Sequence, residues 1–435
     1  MDLEIEIPDS WEKRRIGDLG EIVTGRTPST KREDYYGGEY NLVSPADLDN
    51  RKYVLTARKQ LTEEGFRQCR ALPRKTVLVG CIGNVGKLGM VADGRSATNQ
   101  QINAIIANQE NDAEFIYYSL HANRARLERA ADKTTLPILN KTNFQNFSIA
   151  VPPLAEQRKI AAVLGLVQQA IEQQERLLQL IAELKKTLLH QLFTHGLRGE
   201  PQKQTEIGPV PESWEERPLE RAGDVVYGIQ AAVAANLKPL GMRILTNKNI
   251  TLDGEIVLEK INYFVPKTRR HHETVLKKGD LLFNWRSGSK EHVGKTAYFD
   301  LDGEFTHSSF ILRIRPHDEM TGRYLFYYLN FIRESGYFVK AQTFSVNAKF
   351  NKSAINRLPT YLPMKDERQE VVTALDAVTK KTAVLLAKNR LLEDLFRALL
   401  HQLMTAQIRV YDLDLSVLGT IGLGGENSDW KRYEP

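Results

Sequence analysis

The second half of the chain repeats the first half in the same order, and this repeat limits the possible folds more than any other feature of the sequence. LLHQLFT at 188–194 returns as LLHQLMT at 399–405, 211 positions later. PDSWE at 8–12 returns as PESWE at 211–215, and VGK at 85–87 returns at 293–295. The spacing grows from 203 to 208 to 211 positions, which indicates small loop insertions. The ordered series predicts two copies of one structural unit.

Each copy has two parts of different character. The first part alternates short apolar runs, such as VLVGCI from 77 and DLLFNW from 280, with turn residues and one helical stretch. This pattern predicts a mixed α/β (α+β) globule. The second part is a proline-free segment of about 40 residues that follows a proline. The predicted organisation is a first globular domain at 1–153, a long helix at 154–197, a linker at 198–207, a second globular domain at 208–363, a second long helix at 364–405 and a tail at 406–435.

Both proline-free segments fit a heptad template, in which apolar residues recur at alternating steps of three and four. Eight of ten template positions in each segment are apolar. At 1.5 Å per residue, a helix of about 40 residues spans roughly 60 Å, too long for one compact domain to cover. The predicted coiled-coil positions are Ile160, Leu164, Val167, Ile171, Gln174, Leu178, Ile181, Leu188, Leu192, Val371, Leu375, Val378, Leu385, Asn389, Leu392, Phe396, Leu399 and Leu403.

The repeat predicts that the two helices pair in antiparallel fashion, with pseudo-twofold symmetry. If Ile160 lies opposite Leu403, the same register places Gln174 opposite Asn389. We hypothesise that this amide pair sets the register at some cost in stability. The alternative is that each helix packs as an ordinary amphipathic helix on its own globule.

Composition limits the function classes only loosely. The hydrophobic fraction of 42% and the charged fraction of 26% are typical of a globular protein. A net charge of +6 is compatible with phosphate contact but is common in other proteins too. Two cysteines, Cys69 and Cys81, predict neither a disulfide framework nor a zinc site. No apolar run approaches the roughly 20 residues needed to span a bilayer, so we expect a cytoplasmic protein.

Several motifs resemble the specificity subunit of type I restriction-modification systems, over almost the whole chain. They are VPPLAEQRKIAAVL at 151–164, the two LLHQL segments, TEIGPVPESWE at 205–215, NVGK with HVGK, and TNQQINAI at 98–105. The second copy departs from the pattern, since LPMKDERQE replaces PPLAEQR and only Pro363, Glu367 and Arg368 remain. The tail from Ala406 matches no part of the repeat.

The resemblance implies a DNA-binding subunit without catalytic activity. Each globule would be a target recognition domain that reads one half of a bipartite, asymmetric DNA sequence, and the helices would set the spacer. Two modification subunits, which methylate adenine, would dock on the chain, and two restriction subunits would bind through them. S-adenosylmethionine, ATP and Mg would be bound by those partners and not by this chain.

The residues themselves agree with an absence of catalysis. The Asn/Asp-Pro-Pro-aromatic loop that an adenine methyltransferase needs is missing, and VPPL at 151–154 has the wrong ends. A phosphate-binding loop needs a glycine where GCIGNVGKL has Cys81 and SKEHVGKT has Ser289. His271 and His272 have no third ligand at suitable spacing, so no metal site is predicted.

Cations and amide side chains in loops are the candidates for DNA contact, because cations displace counterions from phosphates and forked or amide groups recognise base edges. A solvated surface charge is the alternative for each of them, and Asn140 and Asn351 are equally suited to cap local turns. The candidates are Arg26, Lys31, Arg32, Asn84, Lys87, Asn140 and Lys141 in the first copy, and Lys248, Arg286, Lys290, Lys295, Lys349, Asn351 and Lys352 in the second.

Two other function classes compete with this interpretation. One is a single-chain methyltransferase or nuclease with duplicated recognition domains, against which the missing motifs count. The other is a structural coiled-coil adaptor that joins two proteins. Methyl transfer by the isolated chain would identify the former, and salt-sensitive DNA binding would exclude the latter.

Overall fold

The computed structural model describes residues 8–49, 51–132, 136–229, 240–343 and 350–410. The chain divides into two compact units, of which the first comprises 1–176 with 386–435 and the second comprises 177–385. The predicted long helices are observed at Leu154–His195 and Lys365–Met404. Each of them contributes residues to both units, so the units do not end where the predicted domains end.

In its described residues, the first unit begins with ten strands and five short α-helices. The strands are β1 (Glu12–Arg15), β2 (Gly20–Thr24), β3 (Tyr36–Val43), β4 (Tyr53–Val54), β5 (Gln60–Leu61), β6 (Val77–Gly80), β7 (Leu88–Val91), β8 (Ser96–Thr98), β9 (Ile102–Ala107) and β10 (Ser148–Val151). The helices are α1 (Ile16–Leu19), α2 (Glu63–Arg67), α3 (Ala113–Ala122), α4 (Arg124–Arg129) and α5 (Lys141–Asn146), followed by the long helix α6 (Leu154–His195).

Three sheets organise these strands. The largest has the order β2-β9-β6-β7-β4, the second has the order β5-β3-β8, and the third pairs β1 with β10. Continuous apolar runs form β6 and β7, and every residue of both strands is buried. That pattern is typical of strands covered on both faces.

The second unit contains the strands and helices of the second copy. The strands are β11 (Gln202–Thr205), β12 (Gly208–Pro211), β13 (Glu215–Pro218), β14 (Gly223–Tyr227), β15 (Met242–Leu245), β16 (Asn262–Phe264), β17 (Leu281–Asn284), β18 (Thr296–Tyr298), β19 (Phe305–His307), β20 (Ile311–Pro316) and β21 (Pro359–Leu362). The helices are α7 (Arg269–His272), α8 (Glu319–Glu334), α9 (Tyr337–Thr343) and α10 (Lys352–Asn356), followed by the long helix α11 (Lys365–Met404).

The sheets of the second unit reproduce those of the first. The order β14-β20-β17-β18 corresponds to β2-β9-β6-β7, and β16-β15-β19 corresponds to β5-β3-β8. Even the strand directions agree, since β3 pairs with β8 in parallel and β15 pairs with β19 in parallel. The mixed α/β fold and the repeat predicted from the sequence are therefore confirmed.

In each unit, the start of one long helix and the end of the other pack into the hydrophobic core. Ile160 near the start of α6 shares the first unit's core with Leu403 near the end of α11. Leu192 near the end of α6 shares the second unit's core with Val371 near the start of α11. Within each unit this is the antiparallel arrangement that the register predicts, and every predicted coiled-coil position is buried or half-buried.

The hydrogen bonds and burial of Gln174 and Asn389 bear on the amide pair that is proposed to set the register. Gln174 is buried, and the Asn389 side chain donates from Nδ2 to Glu393 on its own helix at 2.7 Å. The direct pairing of Gln174 with Asn389 therefore stays a prediction.

The segments that follow the two long helices differ from the predicted linker and tail. The linker at 198–207 contains β11, which pairs with β12 in an antiparallel hairpin. Residues up to Val410 return to the first unit, where the Val410 side chain is buried in the core. Arg409 lies 211 positions after Arg198, which is the spacing of the two LLHQL segments.

Candidate DNA interface

In the first unit, one edge of the largest sheet gathers the loops that carry the predicted DNA contacts. β2 and β6 end at this edge, and β9 begins there between them. The Arg26 amide donates to Thr98 O at 2.8 Å, and the Cys81 amide donates to Gln101 O at 2.8 Å. Leu139 donates to Cys81 O at 2.8 Å, which brings the segment before α5 to the same edge. Four separate stretches of sequence thus form one surface.

The predicted cations at this edge differ in how free they are. Arg26, Lys31 and Lys141 are exposed, and no ion pair to them is found in the described part of the chain. Arg32 is different, because both oxygens of Asp34 accept hydrogen bonds from its guanidinium at 2.8 and 2.5 Å. The hydrogen bond and charge of Asp34 raise the pKa of Arg32 above its usual value. We therefore rank Arg32 behind the other three as a phosphate contact.

The remaining candidates of the first unit are polar residues with local roles. Asn140 caps α5, since its Oδ1 accepts from the Asn143 amide at 2.8 Å. Asn84 is exposed and Lys87 is half-buried, both in the loop between β6 and β7. The Gly86 amide closes this loop onto Gly80 O at 2.9 Å.

The corresponding edge of the second unit is formed by the ends of β14 and β17 and the start of β20. Lys290 is exposed and Arg286 is half-buried, both in the loop between β17 and β18. Lys248 is exposed in a 3₁₀ turn at Asn247–Asn249, directly after β15. Phe350 donates to Trp285 O at 3.1 Å, which brings the segment before α10 to this edge.

Three of the remaining four candidates of the second copy lie in this segment or at the first residue of α10. Asn351 caps α10, with its Oδ1 accepting from the Ala354 amide at 2.9 Å. Lys352 is half-buried, and its backbone amide donates to the Tyr227 hydroxyl at 2.9 Å. Lys349 lies outside the described residues.

The prediction for Lys295 is wrong. This lysine is 4% exposed, and its ammonium group donates to Asn247 O at 3.0 Å and to Ile250 O at 2.6 Å. Burial lowers the pKa of Lys295, and the nearby charge of Arg333 acts in the same direction. The side chain satisfies carbonyls of the turn that carries Lys248 and does not reach the surface.

The structure also identifies edge residues that the sequence reasoning did not select. Gln100 is exposed, and its Oε1 accepts from the Thr27 hydroxyl at 2.8 Å. Asn99 is half-buried beside it, and in the second unit Ser308 and Ser309 occupy the matching positions before β20. The TNQQ segment was a visible signal, because amides that follow a short strand suit base-edge recognition.

A buried polar cluster links α3 of the first unit to α6. The Lys52 ammonium contacts Glu114 Oε2 at 2.5 Å and the Tyr118 hydroxyl at 3.1 Å, and Tyr118 donates to Gln168 Oε1 on α6 at 2.9 Å. Burial raises the pKa of Glu114, but the charge and hydrogen bond of Lys52 outweigh it, and the pKa is lowered to about 2. The carboxylate thus stays charged and keeps its ion pair with Lys52, beside the Tyr118 hydroxyl that binds α6.

The duplicated edge with its exposed cations is a candidate nucleic-acid interface, and comparison with known proteins decides the family of the chain. The profile of the type I restriction modification DNA specificity domain matches residues 8–183 and 241–394. The chain belongs to this family. Both copies of the repeat are covered by the match, which agrees with the duplicated sheet topology.

Curated relatives of this specificity family match parts of the chain. The type I restriction enzyme MjaIX specificity subunit of Methanocaldococcus jannaschii is 28% identical over 234 residues, covering 51% of this chain and 52% of the relative. The HindI specificity subunit of Haemophilus influenzae is 31% identical over 151 residues, covering 34% of this chain and 33% of the relative. The match to the first of them spans about half of its length.

A solved structure shares the fold over nearly the whole chain. The S subunit of a type I restriction-modification system from M. genitalium covers 93% of this chain and 98% of its own, with a TM-score of 0.62 and 13% sequence identity. Among the described residues, no helix combines the length and apolar character needed to cross a membrane.

Proposed function

We propose that this chain is the sequence-specific DNA-binding subunit of a type I restriction-modification complex and that it has no catalytic activity of its own. The observation that carries the proposal is the duplicated recognition edge. Each unit brings equivalent loops to the equivalent end of its own largest sheet, and the loops of each unit carry exposed cations. Family membership supports the assignment of DNA as the ligand.

The exposed cations would supply affinity, and the amides and forked side chains would supply specificity. Arg26, Lys31 and Lys141 suit phosphate contact in the first unit, as Lys248 and Lys290 do in the second. Specificity requires side chains that distinguish base edges in the major groove. In the first unit, Asn84, Asn99 and Gln100 present amides at the same edge.

The two edges differ in composition, so we propose that they read different sequences. The first edge has Gln101 directly before β9, whereas the second has Phe310 directly before β20. Two unequal readers on one chain predict a bipartite target whose halves are not palindromic. The two long helices would set the number of unread base pairs between the halves.

Domain exchange and helix insertion test this proposal. Replacing residues 1–153 by the equivalent part of another family member should change one half of the methylated sequence and leave the other half intact. Inserting one heptad in α6 and one in α11 should change only the gap between the halves. The measurement is the methylated motif in genomic DNA of cells that carry the complex. The modular account fails if either edit changes both halves.

The two long helices also carry two matching exposed apolar surfaces. Leu180 and Leu184 on α6 are 51% and 55% exposed, and Leu391 and Leu395 on α11 are 70% and 46% exposed. The second pair follows the first at the repeat spacing of 211 positions. Residues four apart lie on one face of a helix, so each pair forms an exposed apolar stripe.

We propose that each leucine pair binds one modification subunit. A duplicated site on a duplicated chain predicts two copies of one partner, and two restriction subunits would bind through them. Those partners would bind S-adenosylmethionine, ATP and Mg.

Paired substitutions test the docking surfaces. Changing Leu180 and Leu184 to serine should remove one modification subunit from the complex, and changing all four leucines should remove both, as measured by the native mass of the purified complex. The control replaces Leu252 and Leu258, which are 42% and 40% exposed in the second globular domain, by serine. Retention of two partners by the fourfold variant would refute the docking assignment.

A further inference from the structure

The loop between β17 and β18 of the second unit is longer than its counterpart and is tied down at several points. Residues 285–295 replace the seven residues 81–87 of the first copy. Trp285 Nε1 donates to Ser309 O at 2.7 Å, and Asn284 Nδ2 donates to His292 O at 2.7 Å. The insertion is therefore held in place.

The Arg286 guanidinium lies over two aromatic rings, Trp285 in this loop and Phe310 directly before β20, which together form a clamp. Its guanidinium carbon lies 4.2 Å from the ring centre of Phe310 and 5.2 Å from that of Trp285. Trp285 is itself packed edge-on against Tyr227, with ring centres 5.6 Å apart. Arg286 Nε is buried and has no hydrogen-bond partner among the residues that the structure describes. The rings therefore restrict the guanidinium group, and no carboxylate within the described ranges forms an ion pair with it.

A restricted guanidinium differs in its chemistry from a free surface cation. An exposed arginine loses side-chain entropy when it binds, and a side chain that is already ordered loses less. The planar fork can donate two parallel hydrogen bonds, which fit O6 and N7 of guanine in the major groove. Lys290 in the same loop is exposed, and its ammonium is a point charge on a flexible stem, which fixes orientation less strictly than the planar fork does.

The part of the first unit that the structure describes has no equivalent of this clamp. Ile82 occupies the place of Arg286, two residues after the strand, and Gln101 occupies the place of Phe310. Ile82 carries no positive charge and Gln101 has no aromatic ring, so this pair cannot place a cation over a ring. The clamp is therefore specific to the second recognition edge.

Resting on the proposed function, we infer that Arg286 reads a guanine in the half-site of the second unit, and that Phe310 and Trp285 hold its guanidinium in the reading orientation. The prediction is directional. The second half-site contains a G·C pair whose recognition depends on Arg286, while the first half-site does not depend on it.

The experiment measures the methylated motif of the complete complex for the wild type and for three substitutions. Arg286→Lys keeps the charge and removes the fork, so preference for the G·C pair should fall about tenfold or more at one position of the second half-site. Arg286→Gln should relax the same position and favour adenine there, because an amide fits N6 and N7 of adenine. Phe310→Leu should weaken discrimination at that position without abolishing it.

Two controls accompany these variants. The first half-site within the same DNA is an internal control and should keep its sequence in every variant. Arg221→Lys makes the matched arginine replacement at an exposed position before β14, at the opposite edge of the sheet, and should leave both halves unchanged.

Several outcomes would overturn the inference. A second half-site without any G·C pair would do so at once. An unchanged motif with a uniformly lower methylation rate in Arg286→Lys would show that Arg286 contacts a phosphate, and changes in both halves would show a general structural role. If the wild-type complex methylates no bipartite motif, the proposed function itself fails. If the wild type methylates one and Arg286→Lys leaves it intact, only this inference fails.

Discussion

Removal of the Arg409 guanidinium should destabilise the first unit, although Arg409 lies more than 250 positions from its partner. Glu156 is 3% exposed, and its carboxylate accepts from Arg409 Nε at 2.8 Å, from Arg409 Nη2 at 3.0 Å and from Trp11 Nε1 at 3.2 Å. Arg409 also donates to the Ser10 hydroxyl at 3.1 Å. Arg409→Met would preserve the alkyl packing and leave the buried carboxylate with Trp11 as its remaining donor among these contacts.

The size of the effect follows from the burial of the pair. Breaking a buried ion pair from one side costs about 3–5 kcal/mol. The Arg409 side chain is 27% exposed, so water screens part of the interaction and we expect the lower end, about 3 kcal/mol. For a unit of this size, about 2–4 °C of Tm is lost per kcal/mol, which gives a decrease of roughly 6–12 °C.

The repeat supplies a matched control for this measurement. Arg198 lies at the equivalent position after α6, where it is exposed and has no ion pair in the described portion of the protein. Arg198→Met should change the free energy of unfolding by less than about 0.5 kcal/mol. Urea unfolding of both variants and of Glu156→Gln, alone and with Arg409→Met, would measure the coupling. Equal effects of the two arginine variants would refute the reasoning.

Three further predictions follow from buried contacts. Glu114→Gln should lower the free energy of unfolding by about 3 kcal/mol near neutral pH, because it leaves the Lys52 ammonium without its carboxylate. The folded-state pKa of Glu114 is about 2 against an ordinary 4.5, so this stabilisation is present above about pH 4.5 and is lost as the pH falls towards 2. The urea midpoints of the wild type and the variant should therefore converge in acid. Lys295→Met should lower Tm without changing the slope of DNA affinity against salt, because the buried ammonium makes no phosphate contact; a smaller slope would contradict its placement. Phe193→Ala should lower the free energy of unfolding in urea by about 3–5 kcal/mol, since Phe193 is 1% exposed. Leu184→Ala, at a side chain that is 55% exposed, should lower it by less than about 0.5 kcal/mol. Equal losses would contradict the burial assigned to α6.

The sequence predicted the parts of the fold that depend on short-range pattern. The helix predicted for 154–197 is observed at Leu154–His195, and the one predicted for 364–405 is observed at Lys365–Met404. A heptad pattern over 40 residues is strong because every turn repeats the same signal, and prolines mark where each helix starts. The repeat likewise predicted the same topology in both copies, because similar patterns of apolar residues bury corresponding faces of the strands and helices.

Contacts between residues far apart in the sequence were not predicted. Nothing near Arg409 indicates that it binds Glu156, since the pairing depends on how the chain folds back after α11. The match of Arg198 to Arg409 at 211 positions was available in the sequence, but it shows equivalence of position and not of contact. The structure gives Arg409 a buried partner and leaves Arg198 exposed.

Lys87 and Lys295 mark the boundary between what sequence and tertiary structure each determined. Both end the tripeptide VGK, both precede an equivalent strand, and the sequence alone predicted the same role for both. Only the fold distinguishes them, because the turn after β15 presents the carbonyls of Asn247 and Ile250 to Lys295, and a buried carbonyl needs a donor. Periodicity along the chain determined the helices, the strands and their duplication, whereas the exposure of a given cation depended on neighbours that are distant in sequence.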